Sequence, residues 1–260
     1  MTVKIITKEV RKVFSSANGP ITAIENFDLT VNEGEFVCIV GPSGCGKSTF
    51  LRILADLCPL TTGEVRIIPG EDPRKPLNNV VFQEYAIFPW KTVIDNVAFG
   101  LEMRGHPKRE RYEIARDWLD RVGLIKFANY YPHQISGGMK QRVSIARALA
   151  NDPEVLLMDE PLGALDAQTR AVLQEELLRI WEAHRKTVVY ITHSIDEAVL
   201  LGDRVILMTA HPGRNKATFE VTIPRPRDLK TTGTPEFAAL TYSIWESLQD
   251  EVRRAMEAQR

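Results

Sequence analysis

The 260-residue chain contains no long hydrophobic run. Its longest unbroken apolar stretches, such as Phe36–Val40 and residues 155–158, are four or five residues. A membrane-spanning helix needs about 20, so the chain is not expected to cross a bilayer by itself. Residues 1–10 alternate charged and apolar positions and lack the apolar core of a secretory signal. Cysteine is scarce: Cys38, Cys45 and Cys58 form no C-x-x-C pair, and the five histidines are scattered. Neither a disulfide framework nor a zinc site is expected, and an odd cysteine count without a framework points to a reducing compartment. An excess of one charge sign is also missing. Lys plus Arg number 33 against 34 Asp plus Glu, a net charge of −1, which argues against a sequence-independent nucleic-acid binder. With 44% hydrophobic residues, 16 Gly and 15 Pro, collagen-like, disordered and low-complexity classes drop out. A chain this long buries roughly three-quarters of its unfolded surface, so it needs no covalent or metal staple.

What is present is an alternation of short β-rich runs with helical patterns. The runs fall at 3–12, 23–31, 35–40, 64–68, 80–83, 155–159, 187–191 and 204–208. This order predicts an α/β fold with a mostly parallel sheet. Phe36–Val40 and residues 155–158 are continuously apolar, as in central strands buried on both faces. The first two runs alternate instead, which places them in a flanking antiparallel sheet. Between Gln83 and Asn151 helical patterns take over, at 93–103, 108–122 and 137–150, as in a helical insertion into the α/β core. After Pro224 and Pro226, residues Phe237, Leu240, Ile244, Leu248, Val252 and Met256 form one apolar stripe. That stripe suits a terminal helix docked on its own domain, or a contact with a second copy. The basic stretch 104–121 is interleaved with Glu110, Glu113, Asp117 and Asp120 and reads as a solvated helical face.

Gly41, Pro42, Ser43, Gly44, Cys45, Gly46, Lys47 and Ser48 fit the pattern G-x-x-x-x-G-K-[ST]. The pattern follows a buried-strand run and opens a helical one, from Ser48 and Thr49 to Leu57. A phosphate chain needs many N–H donors in a tight concave arc. The glycines let the backbone close that arc, the helix start adds its dipole, and Lys47 adds positive charge. The Ser48 hydroxyl suits a Mg²⁺ ligand. This is an NTP site. A second signal is the pair Asp159-Glu160 after the buried run 155–158. Strands of this kind rarely end in two acids without a cation or a reaction nearby. Beside a phosphate loop, Asp159 is expected in the Mg²⁺ shell and Glu160 on the attacking water; two solvated surface acids are the alternative. A third is Ser136-Gly137-Gly138, a good N-cap with two uncovered N–H groups. Taken alone it would be an ordinary capped helix.

Together these residues resemble the ATP-binding cassette (ABC) family. Residues 41–49, Gln83, Ser136-Gly137-Gly138-Met139-Lys140-Gln141, residues 155–160, Leu162-Gly163-Ala164-Leu165-Asp166 and His193 follow its motif order. They look like its Walker A, Q-loop, signature, Walker B, D-loop and H-loop. The resemblance runs from about residue 3 to residue 223. It implies a P-loop NTPase core with a helical ABC subdomain at about 84–151, followed by a C-terminal extension over 224–260. It implies ATP and Mg²⁺ as cofactors, and two cassettes pairing head to tail, either as a homodimer or with a related cassette. In such a pair Ser136, Gly137 and Gly138 of one copy cover the γ-phosphate held by the other. Gln83 resembles the residue that touches Mg²⁺ and water, His193 the γ-phosphate sensor, and Phe14 the aromatic that stacks on adenine; a core phenylalanine is the plainer reading of Phe14. Met139 stands where the family has Gln, and Gly163 where Ser is common, but neither change removes a phosphate donor.

The combination of residues 83–90, 136–142 and 162–170 looks like the nitrate/sulfonate/taurine importer subfamily. That implies an ATP hydrolase powering solute uptake from the cytoplasmic face of the cell membrane. Its partners would be transmembrane permease subunits and, indirectly, an extracytoplasmic solute-binding protein, with no nucleic acid. Tyr85, Ile87, Phe88 and Trp90 are the candidate permease-docking cluster, or else a satellite core of the helical insertion. The alternative function is an ABC ATPase acting on nucleic acid or ribosomes. Such proteins usually carry paired cassettes, a long coiled coil or a basic surface. A non-catalytic module would lack Glu160 or Lys47, and both are present.

Overall fold

The computed structural model describes residues 2–17 and 19–257. Along the chain run β1 (Val3–Ser16), β2 (Gly19–Asn32), β3 (Phe36–Val40), α1 (Lys47–Leu54), β4 (Thr62–Ile67), β5 (Asn78–Val81), α2 (Val93–Met103) and α3 (Lys108–Arg121). Then come α4 (Gly137–Ala150), β6 (Val155–Asp159), α5 (Ala167–His184), β7 (Thr187–Ile191), α6 (Ile195–Leu201), β8 (Arg204–Met208), β9 (Asn215–Glu220) and α7 (Pro235–Glu257). They form two compact units, one made of Met1–Pro69 with Arg185–Arg260, the other of Gly70–His184.

In the first unit β1 pairs antiparallel with both β2 and β4, giving the order β2-β1-β4. This is the flanking antiparallel sheet that the alternating pattern predicts. A parallel ribbon β7-β3-β8 carries β9 antiparallel on its β8 edge. All five residues of β3 and all five of β7 are buried. A central parallel strand has no solvent face, which is why its sequence does not alternate. Phe50 of α1 meets Phe27 of β2 with ring centroids 4.4 Å apart. α7 docks on its own unit against α6, burying Phe237, Ile244 and Leu248. The predicted stripe stops there: Met256 is exposed, and a carboxylate, Glu251, is buried instead.

The second unit pairs β5 parallel with β6, in register Val80↔Leu157. α2 packs on both α3 and α4. Its interior comes from Val93, Ile94, Val97, Ala98 and Leu101 of α2, Ala115 and Leu119 of α3, and Val143, Ala146 and Leu149 of α4. Thr92 caps α2 by accepting from the Asp95 N–H at 3.2 Å. An Arg142–Glu176 ion pair at 3.3 Å joins α4 to α5.

Three expectations change. The run 80–83 is strand only to Val81, because β6, its partner, pairs with Asn78 to Val81 and no further. Gln83 therefore lies in a loop. The helix after the phosphate loop ends at Leu54 rather than Leu57, and Asp56 takes a left-handed φ of 58° that a helix does not continue. β9 gave no strand signal, since its Asn, Lys, Thr and Glu positions are mostly exposed on a sheet edge.

Candidate nucleotide site

The phosphate loop leaves β3 at Val40 and turns directly into α1. Gly44 and Gly46 sit at φ 76° and 107°, conformations that other residues adopt only under strain. Gly46 is also confined: a Cβ there would lie 2.8 Å from the Ala23 carbonyl oxygen. A Cβ on Gly41 would lie 2.9 Å from the Met208 carbonyl oxygen. The Phe50 N–H donates to the Gly46 carbonyl at 2.9 Å, closing the first turn of α1. Lys47, buried at 5% exposure, donates Nζ back into its own loop, to the carbonyls of Gly41 (2.9 Å) and Pro42 (3.0 Å). The product is a run of left-handed and helix-start backbone with an ammonium beside it, the kind of arrangement that suits an anion. Pro42 and Cys45 are buried; Ser43 and Gly44 face solvent, and Ser48 and Thr49 are half-buried. Burial pushes the Cys45 thiol up and the Cys38 thiol well up, so neither is a nucleophile. Cys58 is half-exposed.

His193 stands exposed at the carboxyl end of β7. β3 and β7 pair in register Ile39↔Ile191, so His193 and the phosphate loop leave neighbouring parallel strands at the same end. In open α/β sheets ligands bind at that end. The bend presenting His193 is held on both sides. Thr192 is buried and hydrogen-bonded to the Glu197 carboxylate, while Ser194 caps α6 by accepting from the Glu197 N–H at 3.2 Å. Phe14 of β1 is 40% exposed and so is not a core residue. The Lys12 ammonium lies 4.7 Å from its ring centroid and donates to the Pro59 carbonyl at 2.6 Å.

In the second unit β6 is buried throughout and ends in Asp159, 6% exposed. Glu160 follows in a left-handed conformation, φ 45°. Its carbonyl accepts from the Gly163 N–H at 3.0 Å, forming a tight turn. Leu162, Leu165 and Leu173 cluster to anchor the segment beyond it. The Gln83 amide nitrogen lies 3.6 Å from where a Gly163 Cβ would stand, so the glycine in place of the common serine opens space against Gln83. Ser136 caps α4, accepting from the Met139 N–H at 3.3 Å. The two glycines after it sit close against side chains of this unit, which would have to shift to admit a larger residue. A Cβ on Gly137 would come 2.7 Å from the Tyr85 hydroxyl, and one on Gly138 equally close to the Thr169 methyl.

Sequence reasoning missed two residues that organise segment 85–92. Asn96, fully buried, accepts from the Phe88 N–H (2.7 Å) and donates to the carbonyls of Phe88 (3.1 Å), Lys91 (3.1 Å) and Thr92 (2.9 Å). Arg147 of α4 donates to the Ala86 carbonyl at 2.8 Å and lies 5.6 Å from the centre of the Phe88 ring. An asparagine on the apolar face of α2 was the available signal. The aromatic cluster divides accordingly. Phe88 packs on Phe99 at 4.6 Å, while Trp90 is 72% exposed.

A family profile described as ABC transporter matches residues 24–163. The chain belongs to the ABC transporter family. An uncharacterized ABC transporter ATP-binding protein of Methanocaldococcus jannaschii is 49% identical over 99% of this chain and 96% of its own length. A bicarbonate transport ATP-binding protein of Synechocystis is 50% identical, covering 87% of this chain and 82% of the relative. An aliphatic sulfonates import ATP-binding protein of Bacillus cereus is 46% identical, covering 87% and 89%. Among solved structures, a dimeric bacterial ABC transporter cassette superposes with a TM-score of 0.73 at 37% identity, covering 84% of this chain and 98% of that one. A dimeric post-hydrolysis cassette bound to ADP and phosphate gives 0.73 at 36%. The P-loop NTPase fold and the ABC ATPase identity expected from the motifs therefore hold. This ABC cassette is an ATP hydrolase coupled to transport, of the nitrate/sulfonate importer type. Among the described residues no helix is long and apolar enough to cross a membrane.

Proposed function

We propose that this chain energises import of small anions or related organic solutes, from the cytoplasmic face of a membrane, through separate permease subunits. An extracytoplasmic solute-binding protein would deliver the solute. The relatives named for bicarbonate and sulfonate uptake support the solute class. The observation that carries the ATPase reading is the Lys47 ammonium held by the Gly41 and Pro42 carbonyls of a loop whose Ser43 and Gly44 face solvent. ATP phosphates replace those carbonyls as its partners, while Gly44 and Gly46 leave the backbone N–H groups uncovered. Phe14, with one ring face over Lys12 and 40% exposure, stacks on the adenine.

Ser48, Gln83 and Asp159 would hold Mg²⁺, since their hydroxyl, amide and carboxylate oxygens are hard donors that suit it. A Mg²⁺ ion held by these residues would supply neutralisation of phosphate charge. Glu160 takes a proton from the attacking water as its oxygen bonds the γ-phosphorus and the bond to ADP breaks. His193 donates to the γ-phosphate. Ser136, Gly137 and Gly138 of a second cassette complete the site, as the dimeric neighbours suggest. Hydrolysis removes the charge that bridges the two copies, and the pair reopens. The exposed Trp90 and the ordered segment behind it form the permease-facing surface.

Glu160→Gln tests this reading. It should keep ATP affinity, lower turnover at least about 100-fold, and accumulate an ATP-bound dimer in size-exclusion chromatography. Hydrolysis at the wild-type rate would end the general-base assignment.

A further inference from the structure

The C-terminal helix α7 contains one residue out of character with its stripe. Glu251 is 1% exposed, and its carboxylate accepts from the Ala210 N–H (2.8 Å), Lys216 (2.8 Å) and Arg254 (3.1 Å). Ala210 belongs to the turn between β8 and β9. That turn is braced internally: the Thr209 N–H donates to the Arg214 carbonyl, the Thr209 hydroxyl to the Pro212 carbonyl, and the Arg214 N–H to the Thr209 hydroxyl, each at 2.9 Å. It therefore moves as a block.

The other side of this block lies against the phosphate loop. Gly41 approaches the Met208 carbonyl so closely that a Cβ would sit 2.9 Å from it, and a Cβ on Gly213 would collide with the Cys45 carbonyl. The Gly213 N–H donates to the Ala23 carbonyl at 3.0 Å, the same oxygen that confines Gly46. A cavity of about 490 Å³ lies between Ser43–Gly44 and the Glu251–Ala255 end of α7. The helix thus reaches the loop through the 209–214 turn, not by packing on it directly.

We propose that Glu251 is a positioning residue for nucleotide binding: through Ala210 it seats the β8–β9 turn, and the turn holds the phosphate loop in its phosphate-ready shape. This rests on the ATPase reading above. The sign follows from preorganisation, since a loop released from its support spends part of its time in shapes that do not match the phosphates. α7 is then part of the nucleotide site at one remove, and whatever engages this helix has a route to ATP affinity.

Calorimetric titration of the full chain with ADP, which avoids turnover, reads the effect. Glu251→Ala should weaken ADP about tenfold, the order of one lost hydrogen bond to a charged acceptor. The KM for ATP should rise in parallel while kcat changes less than about twofold, because no group on the reacting atoms is touched. Glu251→Gln keeps an acceptor for the Ala210 N–H and should recover most of the affinity despite losing its charge. Should the alanine variant not fold, Glu251→Leu, which fills the same space without an acceptor, takes its place. ADP affinity within twofold of wild type in a folded Ala or Leu variant, whatever its unfolding temperature, overturns the inference. Failure of the wild-type chain to bind ADP would instead overturn the proposed function.

Discussion

Asn96→Ala removes the side chain that holds segment 88–92, and its effect can be worked from the four bonds it makes. The Thr92 carbonyl keeps the Asn96 backbone N–H as a donor at 2.9 Å. The Lys91 carbonyl lies on a half-buried residue that water reaches. The Phe88 carbonyl keeps the Lys91 N–H as a donor at 3.2 Å, which leaves only the Phe88 N–H, on a half-buried residue whose ring packs on those of Phe99 and Trp90 at 4.6 and 5.6 Å. An unpartnered buried polar group costs about 1–3 kcal/mol, and the void left by the truncated amide adds to it. With one such group on a half-buried residue the sum is about 2 kcal/mol, or roughly 6 °C in unfolding temperature for a chain of this size. Scanning calorimetry would measure the shift, in the transition of the 70–184 unit if the two units melt separately. Hydrogen exchange should show the Phe88 amide losing protection before the α4 amides do. A shift below about 1 °C with unchanged Phe88 exchange would refute the argument, because the loop would then have to be held by something else.

Gly137→Ala should lower urea stability by about 1 kcal/mol, the lower end of overpacking, since the Tyr85 hydroxyl it meets is the tip of a side chain that can shift. Tyr85→Phe combined with it should restore most of that loss; a double variant no more stable than Gly137→Ala alone would disprove the contact. The Glu251 carboxyl is pushed up by burial, but its bond from Lys216, the Ala210 N–H and the charges of Lys216 and Arg254 outweigh this and hold it below its ordinary value. A carboxyl with a lowered folded-state pKa stabilises above its unfolded value and loses that contribution as pH falls through the folded one. The stability margin of wild type over Glu251→Gln should therefore shrink below about pH 4.5. A margin independent of pH between 7 and 4 would contradict it.

Much of the architecture is written locally. β3, β6 and β7 are read from unbroken apolar runs because both their faces are covered, and α2 and α4 begin where Thr92 and Ser136 offer caps. The phosphate loop between β3 and α1 was legible because phosphate chemistry demands a fixed spacing of glycines and a lysine. What escaped was decided by contacts distant in sequence. An asparagine on the apolar face of α2 signals a buried polar contact but does not say that its partner is a loop eight residues earlier. A glutamate near the end of α7 reads as solvent-facing until Ala210 and Lys216, some 40 residues away, close over it. β9 depends wholly on the edge that β8 offers.

The distribution of thiols has a practical corollary. With Cys38 and Cys45 shielded and Cys58 accessible, a maleimide dye should couple at a single position without mutagenesis. That position adjoins Pro59, whose carbonyl tethers the Lys12 amine lying over Phe14. A fluorophore attached there would sit within a few side chains of the ring proposed to stack on adenine, and on that reading the native chain becomes its own optical gauge of adenine occupancy.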